Sequence, residues 1–334
     1  MLRHCCATAG IERVVRTVCG ILAAGTVTLM PLTALAQGDY PTRPIRIVVG
    51  VAPGGLIDVT VRLTGAHLSQ RLGQPVVIEN RPGANTTIAA NAVLNAPADG
   101  YTFFYGGAMS ASPIFSKNQP VDFVKQMKPV SLVVSAPFYL LVSSKVPART
   151  IQELVAYSKQ NPGKLNFAQT TPHTTLVMHA IAERTGLTFA PIPYKGSAPA
   201  MAALVAEQVD MTLDTVPNYL PHIRSGKVRA LMGTGGTRLS ALPDVPTGAE
   251  SKIIEFTTGS VFTLWAPPGT PDAVVQRVSA EIAAIAKESG FVEKFRAAAQ
   301  ADPIGSTPAE LLDAVASDYA LIGGVARRVG FSPE

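Results

Sequence analysis

The sequence predicts an α/β protein made of two units, and three observations support this fold class. From Ile45 onward, short runs rich in β-branched residues alternate with longer segments that carry apolar residues at helical spacing, as in parallel α/β sheets. The alternation occurs twice, before and after residue 142. The chain has 334 residues, 47% hydrophobic and 15% charged, which is enough for about two domains with buried cores.

The first 36 residues predict a signal peptide for export. Three arginines precede an uncharged apolar run over residues 18–35, and Ala34-Leu35-Ala36 is a small-x-small cleavage site. We therefore expect the mature chain to begin at Gln37. The alternative is a retained membrane anchor, because the run approaches the roughly 20 residues that span a bilayer, but Pro31 and the cleavage triplet favour removal.

Composition excludes several classes of function for the expected mature chain. All three cysteines, Cys5, Cys6 and Cys19, precede the cleavage site, so disulfides, a thiolate nucleophile and cysteine-ligated metals are excluded. The 25 basic and 22 acidic residues that follow it leave a net charge of +3, without a basic run, so nucleic acid is not an expected partner. We expect no cofactor and no bound metal.

The elements of the first unit follow in order from the hydrophobic pattern. Runs of β-branched and aromatic residues predict strands, and apolar spacing of three and four residues predicts helices. The strands are expected at Ile45–Val49, Val76–Glu79 and Thr102–Tyr105, and the helices at Asp58–Leu72 and Thr86–Leu94, the second capped by Asn85.

The second unit repeats this pattern, beginning with a capping box of Thr150 and Glu153 for a helix that ends near Gln160. Its strands are expected at Leu165–Ala168, Pro191–Pro193, Met211–Leu213 and Val228–Gly233, and its other helices at Thr174–Thr185 and Ser197–Ala206. After Pro267 the pattern is helical only, with caps at Thr270 and Thr307.

The final helices have no sheet of their own, so we expect them to return to the first unit. Two segments would then cross between lobes, near Phe138–Val142 and near Val261–Trp265. This predicts lobe I over residues 37–142 plus 259–334 and lobe II over residues 143–258. A ligand would lie between the lobes, at the carboxyl ends of the strands.

The segment Pro53-Gly54-Gly55-Leu56-Ile57-Asp58 lies between the first strand and the first helix. Two glycines allow a close approach of the backbone to a ligand, and a helix start supplies unpaired N–H groups that suit a carboxylate. The alternative interpretation is that the two glycines only form a tight turn and do not bind a ligand. Asp58 likewise has two interpretations, since it complements the positive end of its helix or accepts a hydrogen bond from a ligand.

Two further loops are predicted at the same cleft. Residues 106–110 follow the third strand with small residues and a hydroxyl group. Residues 169–175, Gln-Thr-Thr-Pro-His-Thr-Thr, lie between a strand and a helix of the second unit and offer hydroxyl, amide and N–H donors. Polar loops are often solvated connections, so ligand contact is one of two interpretations for each.

Taken together and in order, the motifs resemble the tripartite tricarboxylate transporter substrate-binding proteins, the Bug family. The motifs that carry the resemblance are Pro53-Gly54-Gly55 with Asp58, Gly73 to Ala84, Asp99 to Thr102, Pro193 to Gly196, Leu242 to Thr247 and Ala266 to Pro271. The resemblance covers essentially the whole expected mature chain.

The resemblance implies a type II periplasmic-binding-protein fold, with two Rossmann-like lobes joined by two crossover segments. It implies a periplasmic, non-enzymatic receptor that binds an organic carboxylate and delivers it to a membrane permease; we expect a monomer. The ligand-binding residues that it and the loops together predict are Pro53, Gly54, Gly55, Leu56, Ile57, Asp58, Gly107, Ala108, Ser110, Gln169, Thr170, Thr171, His173, Thr174, Thr175 and Asp214.

The chain departs from the family pattern in ways that bear on the ligand. Leu56 and Ile57 replace a proline and a small hydroxyl residue, His173 stands where glycine is typical, and Val261 stands near a frequent tryptophan. An apolar entrance favours a carboxylate with a hydrocarbon or aromatic body over citrate or aspartate.

Two other functions remain open for this fold. A ligand-sensing receptor that docks to a signalling partner would have the same sequence features. A periplasmic enzyme is disfavoured, because the chain has no Gly-x-Ser-x-Gly elbow, no Gly-x-Gly-x-x-Gly in the first loop and no histidine pair at metal-binding spacing.

Overall fold

A computed structural model of the chain describes residues 40–107, 114–115, 121–254 and 256–332. The predicted signal peptide, its cleavage site near Ala36, and the predicted site residues Ala108 and Ser110 lie outside the described residues. Within the described part no helix is both long enough and apolar enough to cross a membrane.

The described strands match the predicted ones and include four more. They are β1 Ile45–Val49, β2 Val76–Asn80, β3 Thr102–Gly107, β4 Lys128–Pro137, β5 Tyr139–Ser143, β6 Asn166–Gln169, β7 Ala190–Pro193, β8 Met211–Asp214, β9 Val228–Gly233, β10 Gly259–Ala266 and β11 Asp302–Pro303.

The described helices also follow the predicted order. They are α1 Leu56–Leu72, α2 Thr87–Leu94, α3 Phe123–Gln126, α4 Ile151–Gln160, α5 Pro172–Thr185, α6 Ser197–Val205, α7 Leu220–Arg224, α8 Asp272–Ile285, α9 Ser289–Ala299 and α10 Pro308–Arg328, with short 3-10 helices at Ala84–Thr86 and Pro217–Tyr219.

The strands form two sheets built on one plan. The first has the order β2-β1-β3-β10-β4-β11, and the second has the order β7-β6-β8-β5-β9. In each sheet the first three strands are parallel, and the fourth, β10 or β5, runs antiparallel to both of its neighbours. The α/β prediction is confirmed, but both sheets are mixed rather than wholly parallel.

The antiparallel strands are where the chain passes between the sheets. Phe138 alone separates β4 of the first sheet from β5 of the second. Residues 234–258 form the return connection from β9 to β10. The crossing expected near Val261–Trp265 is therefore wrong, because those residues pair within the first sheet, and residues 139–142 pair within the second.

Buried Thr234 joins the two connections. Its hydroxyl accepts from the N–H of Phe138 at 3.0 Å and donates to the carbonyl oxygen of Thr258 at 2.6 Å. Next to it, a Cβ on Gly259 would lie 2.4 Å from the carbonyl oxygen of Ala136, so the two connections pack closely only because residue 259 is glycine.

Two of the predicted helix caps differ in the structure. Thr270 does not cap α8; its hydroxyl donates to the carbonyl oxygen of Pro267 at 2.8 Å, and Pro271 holds the cap position. Asn85 belongs to a 3-10 helix, and Thr86 precedes α2. The caps at Thr150 and Thr307 are confirmed, since each side chain accepts from the N–H three residues on.

The C-terminal helix α10 contributes side chains to the hydrophobic cores of both sheets. Its first half places Leu311 and Val315 in the core beside Trp265 of β10. Its second half places Ile322 and Val325 in the core of the second sheet. As expected for the final helices, α8 contacts α1 and β4 and α9 contacts α1 and β11, all in the first unit, whereas only the first half of α10 lies there.

Candidate ligand-binding site

A cavity of about 540 Å³ lies between the sheets, at the carboxyl ends of β1, β3, β6 and β8. This is the edge at which ligands bind to open α/β sheets. The described residues that line it are Val51, Gly55, Leu56, Ile57, Gly107, Phe115, Phe138, Thr170, Thr171, Pro172, His173, Thr174, Ser197, Asp214, Thr215, Ser260, Val261 and Phe262.

The amino-terminal ends of three helices meet at this cavity. Residues from the first turns of α1, α5 and α6 line it, among them Leu56, His173 and Ser197. Each helix start carries a partial positive charge and N–H groups without helical partners, which stabilise an anion. The lining described contains no lysine or arginine, so these helix ends are its principal source of positive potential.

The first loop is shaped so that α1 begins at the cavity. Gly54 has a φ of +95°, which a residue with a side chain rarely adopts, and Gly55 is the N-cap. No side chain caps α1, so the N–H groups of its first turn stay available at the cavity wall. Pro53 and Gly54 themselves do not line it.

Asp58 lies behind the first loop rather than in the cavity wall. Its carboxylate accepts from the N–H of Gly54 at 3.0 Å, from Nε of Arg62 at 2.9 Å and from Nδ2 of Asn80 at 2.9 Å. Asn80 also donates to the carbonyl oxygen of Val51 at 3.0 Å. Asp58 therefore fastens the loop to β2 and does not line the cavity, and direct contact with a ligand stays an untested prediction.

These donors also fix the charge of Asp58. Hydrogen bonds from Arg62, together with those from Gly54 and Asn80, lower the pKa of Asp58 to about 2, although burial opposes the shift. The carboxylate is thus ionised across the physiological pH range and holds its three donors by charge-assisted bonds.

The second-lobe loop is more self-contained than the first. Thr171 caps α5 in a capping box with Thr174, and the Thr170 hydroxyl lies 3.1 Å from that of Thr174. Thr175 donates to the carbonyl oxygen of Thr171 at 2.9 Å. Because these hydroxyl groups bond to one another, the loop offers fewer free donors than its composition indicates. Gln169 and Thr175 do not line the cavity.

Asp214 is the acidic group of the cavity wall. Its carboxylate accepts from the N–H of Thr215 at 2.8 Å and from the hydroxyl of Tyr219 at 3.2 Å, and Ser197 also bonds to it. Burial raises the pKa of Asp214, and these hydrogen bonds oppose the shift. Its oxygen atoms face the cavity as acceptors that a ligand hydroxyl or amino group can use.

His173 lies in the first turn of α5 between aromatic rings. The ring of Phe138 is edge-on at 5.2 Å between centroids, and that of Phe115 is at 6.0 Å. Nε2 of His173 lies 3.3 Å from the hydroxyl of Thr258, which donates to Asp318 at 3.1 Å. Burial lowers the pKa of His173 to about 4, so the ring is neutral at pH 7.

The apolar part of the lining comes from both sheets. Leu56, Ile57, Val261 and Phe262 lie on the first side, and Phe138 lies at the crossing to the second. Most of the exposed lining is thus hydrocarbon or aromatic, with polar groups concentrated at the helix starts and at Asp214. In the residues that the structure covers, no group of three His, Cys, Asp or Glu side chains is placed to hold a metal ion.

Nine predicted site residues meet at the cavity. They are Gly55, Leu56, Ile57, Gly107, Thr170, Thr171, His173, Thr174 and Asp214. Whether they bind a ligand stays a prediction. The lining residues that the sequence interpretation missed are Val51, Phe115, Phe138, Pro172, Ser197, Thr215, Ser260 and Phe262, and Val261 was expected only as part of the apolar entrance. Ser197 could have been found from the sequence, because Gly196 directly precedes a predicted helix start, as Gly55 directly precedes α1 in the first loop.

Comparison with known proteins agrees with this architecture. The family model described as "Tripartite tricarboxylate transporter family receptor" matches residues 60–317. Protein BugT of Bordetella pertussis is 33% identical over 318 residues, 94% of this chain and 96% of BugT.

Solved structures share the fold as well. An R. palustris protein with adipate is 31% identical at a TM-score of 0.76, over 88% of this chain and 100% of that one. MatC from Rhodopseudomonas palustris with bound malate is 30% identical at a TM-score of 0.66, over 86% of this chain and 99% of that one. The two-lobed periplasmic-binding-protein fold expected from the sequence is confirmed.

Proposed function

The chain belongs to the tripartite tricarboxylate transporter receptor family, and from this premise we propose that it captures a small organic carboxylate with an apolar or aromatic body. The observation that carries the proposal is the convergence of three helix starts, without lysine or arginine in the described lining, on one cavity. An anion there is stabilised by N–H groups and helix dipoles rather than by a countercharge.

The proposed pose places a ligand carboxylate at the uncapped start of α1. The N–H groups of Leu56 and Ile57 are the donors proposed to receive it, since no side chain competes for them. The hydrocarbon body would then lie against Phe138, Val261 and Phe262. The remaining lining residues named from the sequence, Gly107, Thr170, Thr171, His173, Thr174 and Asp214, are proposed as contacts for the rest of the ligand.

The relatives support the chemical class. One solved relative holds adipate and another holds malate, and both ligands are dicarboxylates. Adipate has an unbranched hydrocarbon body, which suits the apolar wall around Val261 and Phe262. Malate carries a hydroxyl group and little hydrocarbon, so the wall of this chain favours ligands of the first kind.

We place the ligand in a two-lobed trap that feeds a membrane permease. Lobe I comprises residues 37–142 and 259–334 and lobe II residues 143–258 in the sequence interpretation; sheet membership moves the first boundary to Phe138. Closure would rotate one lobe about Phe138 and the return connection. Deletion of the gene distinguishes a transport receptor from a ligand sensor. Loss of ligand uptake would indicate a transport receptor, whereas loss of the response to ligand with uptake intact would indicate a sensor.

Calorimetric titration with adipate, benzoate and malate tests the ligand class, with adipamide and benzamide as neutral counterparts. We expect adipate or benzoate to bind more tightly than malate, and the neutral amides to bind at least tenfold more weakly than their acids. Equal affinity for the acids and their amides would contradict the proposal that the site recognises a carboxylate group. Binding of malate but not of adipate or benzoate would contradict the proposal that the ligand has an apolar or aromatic body.

A pair of variants tests the start of α1 directly. Leu56→Pro removes one N–H donor at the first helical position, where proline is tolerated, and also removes the leucine side chain. Leu56→Ala removes the side chain and keeps the donor. We expect Leu56→Pro to lower carboxylate affinity at least tenfold beyond Leu56→Ala, and equal affinities would refute the proposed role of the α1 start.

A further inference from the structure

Two buried polar side chains and the largely buried Asp318 form a chain of hydrogen bonds at the cavity wall. Nε2 of His173 lies 3.3 Å from the hydroxyl of Thr258, and that hydroxyl donates to Oδ1 of Asp318 at 3.1 Å. Oδ2 of Asp318 lies 3.7 Å from the same Nε2 and, in the described part of the chain, is buried without a hydrogen-bond partner. A buried carboxylate oxygen without a donor is costly, so the site favours a proton or a positive charge nearby.

The three residues come from three different elements. His173 lies in the first turn of α5, Thr258 ends the return connection before β10, and Asp318 lies midway along α10. His173 lines the cavity, whereas Thr258 and Asp318 do not. The group that a ligand touches is therefore positioned by residues that the ligand does not reach.

The bonding order fixes which ring nitrogen carries the proton. The Thr258 hydroxyl has one hydrogen, and it is donated to Asp318. The bond between His173 and Thr258 must then run from Nε2–H to the hydroxyl oxygen. Nδ1 is therefore the unprotonated nitrogen. Among the described residues Nδ1 has no hydrogen-bond partner, and it is not completely buried.

From this geometry, and resting on the proposed carboxylate ligand, we propose that His173 takes up a proton at Nδ1 when the ligand binds, with the resulting imidazolium held between the ligand carboxylate and Asp318. Asp318 acts as a positioning residue through Thr258. The ligand class is thereby narrowed to anions whose carboxylate reaches the start of α5, such as a dicarboxylate that spans from α1 to α5.

The charges around the pair agree with this step. Burial lowers the pKa of His173 to about 4 and raises that of Asp318 to about 6, so at pH 7 the free pair is a neutral ring beside an ionised carboxylate. A ligand carboxylate would add a second negative charge, which raises the apparent pKa of the pair. Ligand binding is then accompanied by proton uptake above about pH 6, and this uptake decreases below about pH 6.

The other described ionisable groups near α5, α10 and the cavity are not placed to take the role of His173 and Asp318 in proton uptake. Asp214 is the other ionisable side chain in the described lining. Farther along α5, Glu183 pairs with Arg328 of α10 at 2.8 Å, and His179 packs against Phe189. Phe115 and Phe138 face His173 without charge.

Calorimetry in buffers of different ionisation enthalpy measures the proton uptake. The probe is whichever of the dicarboxylates adipate and malate binds the full chain more tightly at pH 7.5, and binding of benzoate alone would overturn the inference while leaving the proposed function intact. We expect about one proton to be taken up per ligand, and affinity to rise up to about tenfold per pH unit from pH 8 to pH 6. Binding without proton uptake overturns this inference and leaves the proposed function intact, whereas no binding of any probe overturns both.

Four variants assign the proton. Asp318→Asn keeps an acceptor for Thr258 without the charge, and it should abolish the uptake, as should His173→Gln. Asp313→Asn, an exposed position on the same helix, should keep it. Loss of uptake in Asp214→Asn but not in Asp318→Asn would assign the proton to Asp214 and overturn the inference.

A spectroscopic measurement covers the case in which a variant fails to fold. Titration of the histidine C–H resonances of the wild-type protein by NMR reports the His173 ring directly. The ring should titrate at a higher pH with ligand than without it. An unchanged midpoint would refute proton uptake by His173.

Discussion

The backbone N–H of Gly54 donates to the carboxylate of Asp58, four residues on, at 3.0 Å. This bond spans the only stretch of the first loop that needs a positive φ, and it holds the chain directly before the start of α1. A buried side chain that faces away from the cavity thereby shapes the wall on its other side.

Asp58→Asn should weaken both stability and ligand affinity. The amide cannot accept from Gly54, Arg62 and Asn80 together, and bonds to a charged group contribute about 1.5–3 kcal/mol each. We expect a loss of about 2 kcal/mol in the free energy of unfolding and an affinity at least tenfold lower. Urea unfolding and calorimetry measure the two, and Glu79→Gln, at a partly exposed pair, should lose under about 1 kcal/mol.

Asp58 should also contribute to acid unfolding. Its pKa is about 2 in the folded protein and 3.8 without the fold, so its stabilisation is complete above about pH 4 and is lost as pH falls toward 2. The difference in unfolding free energy between wild type and Asp58→Asn should therefore shrink over that window. Denaturation at pH 2 to 6 checks this, and a constant difference would contradict it.

Val261→Thr should change which carboxylates are preferred. The two side chains have nearly the same shape, but a hydroxyl group in the apolar wall must be desolvated beneath a hydrocarbon ligand. We expect roughly fivefold weaker binding of adipate or benzoate, about 1 kcal/mol, and little change for malate. Val77→Thr, on the exposed face of β2, should leave all three affinities unchanged.

Tyr219→Phe should destabilise the second lobe around Asp214. The variant removes a donor 3.2 Å from the buried carboxylate, so its pKa should rise further and the fold should lose about 1 kcal/mol. Thermal unfolding at pH 7 and pH 5 measures the effect. Because burial raises the pKa of Asp214, protonation at lower pH reduces the need for the donor, so the loss should shrink as the pH falls.

Ile322→Ala tests the double role of α10. Ile322 is buried in the core of the second sheet, although its helix begins on the first, and its truncation should cost about 2–4 kcal/mol. Leu312→Ala, on the same helix at a side chain that is 41% exposed, should cost under about 1 kcal/mol. Equal losses in chemical denaturation would show that the second half of α10 is not part of that core.

The sequence predicts the repeated β-α-β-α-β elements because their periodicity is local. The strands β1, β6 and β8 and the helices α1, α5 and α6 were expected within about two residues of their observed bounds. Glycines and helix starts at strand ends then point to the cavity edge, which is why Gly55 and His173 were found, whereas Asp214 was expected only from the family resemblance.

The missed elements depend on distant partners. Strand β5 is a continuous apolar run that pairs antiparallel between β8 and β9, and β10 pairs with β3 and β4, about 155 and 130 residues earlier in the chain. No local pattern states these pairings. For the same reason Phe138, Ser260 and Phe262 were absent from the predicted site, since they reach the cavity where the chain passes from one sheet to the other.

Helix α10 is the last element among the described residues, and it completes the interiors of both halves of the molecule. Neither half can reach its final packing while residues 311–326 are still being synthesised. The polypeptide therefore remains incompletely folded until this segment is available, a state that suits the export predicted from the first 36 residues.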